Sequence, residues 1–357
     1  MKIISEANPK ITFDKTEIFA DHEKNDRSGH LGHAMVECHD GSILAFYPNC
    51  SAYIPDSFPG HNMYGWVEMR RSYDKGITWT KPEVLEYSYE TFLKGKNKVG
   101  CERAVVCDDG SIVLFCHRSI GSLYEPYDVP TYIISHDNGS TWSEAAELCT
   151  YRGRIYDAVY RNGRIYVLEL CNPADKSFEV REEGIKYRIF ASDDNGKSFY
   201  EYSTPEFDDI GHTYGRLVFT DDNSLIFYAY NEDDQHNLTA LISKDEGKTW
   251  GKDFKVPVDK ICRNPQIGRL NGYYIMHGRS ENMADFVFYY SEDCLNWSKG
   301  VIVNDPLDGK SRRGCYYSNN IIIKGEDGID RMLVQYSEVY ENGTGKFTIM
   351  HAWVRVQ

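Results

Sequence analysis

Five short stretches of this chain are variants of one turn, and that repetition constrains the fold more than any other feature. They read SYDKGITW at 72–79, SHDNGSTW at 135–142, SDDNGKSF at 192–199, SKDEGKTW at 243–250 and a worn SEDCLNW at 291–297. The turn has a mechanical logic. Ser opens it, Asp accepts backbone N–H bonds inside it, Gly takes a backbone angle that other residues resist, and Trp or Phe buries the return. A single copy would mean little, but five spaced copies indicate a repeat architecture.

A second repeat interleaves with the first. AMVECHDGSILAFY begins at Ala34 and AVVCDDGSIVLFCHR at Ala104. AVYRNGRIYVLEL begins at Ala158, RLVFTDDNSLIFYAY at Arg216, QIGRLNGYYIMHGR at Gln266 and NIIIKGEDGIDRMLVQYSE at Asn320. Each is an apolar run, an Asp-Gly or Asn-Gly type of turn and a second apolar run, the signature of a hairpin. Hairpin, third strand, clip and fourth strand, repeated in six units, make an all-β, six-bladed β-propeller with four-stranded blades. It is expected to be one domain over 1–357. The sixth unit ends in KFTIMHAWVRVQ without a clip, and the early ITFDKTEIFA is expected to complete that blade and close the ring. Closure leaves no free sheet edge there. No capped helix-period segment is expected.

Composition narrows the partners. The net charge is −14, which disfavours nucleic acid because phosphate binding needs a basic face. No run approaches the ~18 apolar residues of a membrane helix, and MKIISEANPKITF has no signal-peptide core. The ten Cys form no CxxC pair. Such scattered cysteines suit a reducing, cytoplasmic compartment, or secretion if a leader has been removed. No metal is expected, since His30 and His33 lie in a loop with no third ligand fixed by spacing. No cofactor is expected either, because no nucleotide-binding glycine motif stands out.

The five clips resemble the Asp-box, or bacterial neuraminidase repeat, of the sialidase superfamily, over nearly the whole chain. That resemblance implies a propeller in which Asp74, Asp137, Asp194, Asp245 and Asp293 are structural. Sialidases use three arginines on a carboxylate, a Tyr nucleophile with a Glu partner and an Asp acid/base. Tyr317-Ser318 matches the nucleophile segment and is followed on the next strand by Glu338. The first-blade Arg-Ile-Pro is replaced by Leu31-Gly32-His33. Near the expected Asp stand His61 and Asn62 of PGHNMYGW, with Asp56 upstream. The fourth blade offers His212 and Tyr214 but no Glu. Arg263 and Arg313 supply cations. The resemblance thus implies the fold with exchanged chemistry.

The fold also says where a site must lie. The innermost strand of each blade runs along the ring axis, so residues that begin these strands converge on one mouth. The starts hold His30 and His33, Glu102 and Arg103, Arg154, Tyr156 and Asp157, His212, Tyr214 and Arg216, Arg263 and Gln266, and finally Arg312, Arg313, Tyr316 and Tyr317. The candidates for catalysis are His33, His61, His212, Tyr214, Tyr317 and Glu102. Those for substrate binding are His30, Arg103, Arg154, Tyr156, Asp157, Arg263 and Arg313. Several Arg at one mouth favour a carboxylate-bearing ligand, which a guanidinium pairs in bidentate fashion. Tyr47, Tyr53, Tyr64, Trp66 and Tyr230 are either sugar-stacking rims or blade packing.

An acidic oligosaccharide or glycoside is therefore the expected substrate. The first reading is an exo-acting glycoside hydrolase. The alternative is a lyase on uronates, with Arg neutralising the carboxylate and His or Tyr moving protons. A non-catalytic glycan-binding propeller is the third. A hydrolase with two carboxylates needs them about 5–9.5 Å apart, and Glu102, Asp157 and Asp56 are the candidates for such a pair.

Overall fold

The computed structural model describes residues 2–3, 10–52, 64–95, 97–120, 127–172, 184–280, 285–304, 317–325, 327–341 and 346–356. Its strands form six antiparallel sheets. The inner strands of blades one to six are Ala34–Glu37, Asn97–Val106, Gly153–Arg161, His212–Phe219, Arg263–Leu270 and Ser318–Lys324. Each touches the next around the ring, and the sixth returns to the first. Each is hairpinned to a second strand: Ile43–Ser51, Ile112–Ile120, Arg164–Cys171, Leu225–Asn231, Tyr273–Arg279 and Asp330–Glu341. The expected six blades of four strands are what the chain forms.

Burial explains the sequence pattern. A second strand is sandwiched between neighbouring blades, so LIFYAYN in blade four is buried at every residue. Such strands read as continuous apolar runs because both faces are covered. Outer strands such as Glu83–Val84 and Ala146–Glu147 are exposed. The inner strand of blade four packs so closely on the second strand of blade three that a Cβ on Gly215 would lie 2.6 Å from Leu168.

The clips suture blade to blade. In the second blade the Ser135 hydroxyl donates to Asp137 at 2.8 Å and accepts the Gly139 N–H at 2.8 Å. Asp137 also accepts the Thr141 N–H at 2.8 Å and its hydroxyl at 2.6 Å. Asn138 and Gly139 both have positive φ, 56° and 81°. A Cβ at position 139 would sit 2.3 Å from Leu44 of blade one, so glycine is required there for contact as well as for conformation. The same bonds recur at Asp74, Asp194 and Asp245. In the worn fifth clip Cys294 takes the positive φ, and the Asn296 amide replaces the Thr hydroxyl on Asp293 at 2.6 Å.

The sixth blade has no clip. Its outer strand is Ile11–Ala20, paired along Lys346–Val356 from Ile11 opposite Val356 to Ala20 opposite Ile349. Asp14 binds Arg331 at 2.7 Å and Arg355 at 2.6 Å, and Trp79 of the first clip packs edge-on against Phe19. Lys2–Ile3 adds a fifth strand to blade five by pairing with Val301–Asn304.

One element departs from the sequence reading. Glu86–Lys94 is an α-helix, closed by Gly95 in the left-handed region with its N–H on Phe92. No side chain caps its start, so the usual N-terminal signal is missing. Ser88 ties the helix to the blades by accepting the Val67 N–H at 2.9 Å and donating to the Val99 carbonyl at 3.1 Å.

Candidate functional site

The mouth is shaped by a defect repeated around the ring. In blades two to five the inner strand shifts register just past its start, between Cys101 and Arg103, Ile155 and Asp157, Thr213 and Arg216, and Arg263 and Gln266. A bulge of this kind adds an unpaired residue and re-aims the side chains around it. The residues inside the shifts include Glu102, Tyr156, Tyr214 and Asn264. Tyr214 and Asn264 have φ of 52° and 56°. Asn tolerates that region, but a bulky Tyr seldom does, and such strain concentrates at functional positions.

The bulged residues form a contact chain that reaches every blade. The Glu102 carboxylate accepts from Arg154 at 2.7 Å and lies 3.3 Å from His117. The Arg154 guanidinium lies over the Tyr156 ring at 4.9 Å. Tyr156 packs edge-on against Tyr214 with centroids 5.7 Å apart, and its hydroxyl meets Thr213 at 3.1 Å. The Tyr214 and Tyr317 hydroxyls are 3.0 Å apart, joining blades four and six. From blade five, Arg263 donates to the Tyr214 oxygen at 3.3 Å and pairs with Glu232 at 3.1 Å. Arg279 lies 4.8 Å over the Tyr317 ring. His30 of blade one meets Tyr317 edge-on at 5.0 Å.

A second layer lies one residue along. Asp157, fully buried, accepts Arg103 at 3.0 Å, Arg216 at 2.6 Å and the N–H groups of Ala158 and Leu217. Arg103 also donates to Gln266 at 2.6 Å. This layer ties blades two, three, four and five together.

Burial and charge set the protonation states. Burial would raise Glu102, but the Arg154 and Arg103 charges and the Arg154 hydrogen bond outweigh it and hold the carboxyl below its usual range. Burial lowers His33 and His117 to about 4 and His277 to about 3. These rings are neutral at neutral pH, and the positive charge at the mouth is carried by arginine. Burial alone would raise the Tyr214 phenol; Arg263, Arg279 and the Tyr317 hydrogen bond outweigh it and pull the phenol below its ordinary value.

The structure thus brings together Glu102, Arg154, Tyr156, Tyr214, Arg263, Tyr317 and His30. Arg103 and Asp157 belong to the second layer, where they bind each other. His33 is buried in the seam of blades one and six, with Nδ1 3.1 Å from the Gln335 amide. His212 is turned away: its ring stacks on Phe207 with centroids 4.1 Å apart and its Nε2 meets Thr239 at 2.9 Å. There it lines a cleft of about 290 Å³ between blades three and four. Tyr47 and Tyr230 are fully buried, whereas Tyr64 is exposed. His61, Arg313, Asp56, Tyr53, Arg312 and Tyr316 lie outside the described residues.

Sequence reasoning missed Arg279, Glu232 and His117. Arg279 ends its second strand, Glu232 follows the end of one, and His117 lies three residues before the end of another, in the part that returns to the mouth. Arg279 is the cross-strand partner of Arg263 and His117 that of Gly100. The hairpin register was the available signal.

Comparison with known proteins agrees with this architecture. A sialidase of Paraclostridium sordellii is 26% identical over 291 residues, which take in 77% of this chain and 57% of the relative. The chain therefore spans little more than half of that protein. A Dyadobacter fermentans protein of unknown function superposes with a TM-score of 0.72 at 14% identity, covering 97% of this chain and 99% of that one. A Hadza microbial sialidase gives 0.67 at 14% identity, covering 94% and 68%. At such identities the structural likeness speaks for the fold. The model of the BNR repeat-like domain matches residues 10–349, and the chain belongs to that family.

Proposed function

We propose that the protein is a sialidase-type glycoside hydrolase that acts, in the exo manner, on a carboxylated sugar. One observation carries this reading: Arg263 and Arg279 bracket the hydrogen-bonded Tyr214–Tyr317 pair at the ring mouth. Guanidinium groups beside the reacting centre suit a sugar carboxylate. A tyrosine oxygen beside them suits attack at the anomeric carbon, because tyrosine becomes a nucleophile only when a neighbour removes its proton or a cation lowers its pKa. The names of the sialidase relatives support the same class. Tyr317 is the nucleophile in this reading. Arg154, held by Glu102, is a third cation for the substrate.

Elimination from a uronate is a second reading, and one observation favours it. Glu102 and Asp157, the described members of the anticipated acid pair, are both engaged by arginine. Glu102 is held ionised, the wrong state for a proton donor. Product mass after incubation with sialylated and uronate-containing oligosaccharides in isotopically labelled water separates the two. One labelled water gained per bond cut supports hydrolysis. Unlabelled, ultraviolet-absorbing unsaturated products support elimination. No product from either panel refutes both.

A further inference from the structure

We infer that Tyr214 is the base that takes the Tyr317 proton as the glycosidic bond breaks, so that two tyrosines share the work of one activated nucleophile. The inference rests on the hydrolase reading. Three independent features support it. The two hydroxyl oxygens are 3.0 Å apart, which is proton-transfer distance. The Tyr214 backbone is held at a φ of 52° inside a two-residue register shift, a conformation a bulky L-residue does not adopt unaided. Finally, the Tyr214 oxygen accepts from Arg263 Nη2 at 3.3 Å, and the Arg263 guanidinium also lies 5.1 Å over the Tyr214 ring.

The groups that face Tyr214 come from five neighbouring elements. Arg263 and Arg279 approach from the two hairpinned strands of blade five, Arg154 and the Tyr156 ring from blade three, and Tyr317 from blade six. Tyr230 flanks it on the second strand of its own blade, with centroids 6.2 Å apart. The cations outnumber the acids in that set. Glu232 reaches the set through Arg263, with which it is paired at 3.1 Å. The downward shift of the Tyr214 phenol agrees with this geometry.

The step balances without a cofactor. The Tyr317 proton passes to the Tyr214 phenolate, and the Tyr317 oxygen bonds to the anomeric carbon. The bond to the leaving oxygen breaks, and that oxygen takes a proton from water, leaving hydroxide. Hydroxide then attacks the anomeric carbon and displaces Tyr317, which recovers its proton from Tyr214. The sum is one water consumed per bond cut.

The test compares the wild type with Tyr214→Phe and Tyr317→Phe by two readouts. The first is the tyrosinate ultraviolet band followed against pH in the resting protein. One tyrosinate should appear below the ordinary phenol pKa near 10, persist in Tyr317→Phe and vanish in Tyr214→Phe. The second is single-turnover cleavage of the acidic glycoside that the wild type accepts. Tyr214→Phe should slow it by roughly 10²- to 10⁴-fold, the usual worth of a general base. It should bind a 2,3-unsaturated nonulosonic acid within a few-fold of the wild type, which shows the site intact. An unchanged tyrosinate band, or an unchanged cleavage rate in Tyr214→Phe while Tyr317→Phe is inactive, overturns the role of Tyr214. Full activity in Tyr317→Phe overturns the hydrolase reading itself.

Discussion

Replacing Asp157 by Asn separates the second layer from the mouth above it. The side chain keeps its shape and loses its charge. Asp157 Oδ1 accepts from Arg103 Nε, Arg216 Nη1 and the Ala158 N–H, and Oδ2 from the Leu217 N–H. An amide has one oxygen, so its NH₂ must face either Leu217 N–H or the three donors. Two guanidiniums that are less than a tenth exposed also lose their shared counter-ion. Burial already lowers Arg216 to about 10, with Asp157 opposing that shift and Arg103 adding to it. Breaking a buried ion pair from one side costs about 3–5 kcal/mol, because the partner charge stays buried and uncompensated. Against a total of about 5–15 kcal/mol, that is a large loss. Urea unfolding at neutral pH, followed by tryptophan fluorescence, should show a lower midpoint with an unchanged slope. Protein that remains folded should retain its affinity for an acidic sugar. A cost below about 1 kcal/mol, or normal stability with affinity lost, would refute the assignment of Asp157 to the framework.

Asp137→Ala removes the clip bonds on a mostly solvated carboxylate and should cost only about 1 kcal/mol in the same unfolding assay, the worth of a lost cap. Stability should fall as pH drops from about 6.5 toward 4. Burial holds His22, His33 and His117 at about 4 and His277 at about 3, so the unfolded chain takes up protons that the folded chain refuses. The slope is up to roughly 1.4 kcal/mol per pH unit for each such histidine, and a flat melting temperature between pH 7 and pH 4.5 would contradict it. Arg279→Ala should weaken binding of a carboxylated sugar by about tenfold to a hundredfold, the worth of one charged hydrogen bond. It should leave a neutral amide analogue unaffected; equal losses for both ligands in titration calorimetry would remove Arg279 from the carboxylate site.

The blades were legible because their signals are local. An Asp-Gly turn between apolar runs makes a hairpin wherever it stands, and a clip marks its own position. The helix at Glu86–Lys94 was not, because its start is uncapped and its anchor, Ser88, bonds to residues distant in sequence. The mouth was legible as a region, since every inner strand begins there. Its layering was not. Glu102 and Arg103, or Tyr156 and Asp157, are neighbours in sequence but serve different layers, because the bulge between them is set by packing in the ring. Arg279 was within reach of the hairpin register, and Glu232 lies at the same end of the same kind of strand.

Ring closure has a consequence for how the protein is made. The Ala20 carbonyl is held by the Thr348 hydroxyl, 328 positions away, and the whole strand Ile11–Ala20 pairs only with that late segment. At translation speeds of about 5–20 residues per second, this separation leaves the strand waiting on the order of tens of seconds for its partner. Its pairing edge is a template for other chains throughout that interval. The nascent propeller thus carries an open edge on Ile11–Ala20 until its last strand is made, and synthesis rate, rather than the strength of any one blade, governs how long that exposure lasts.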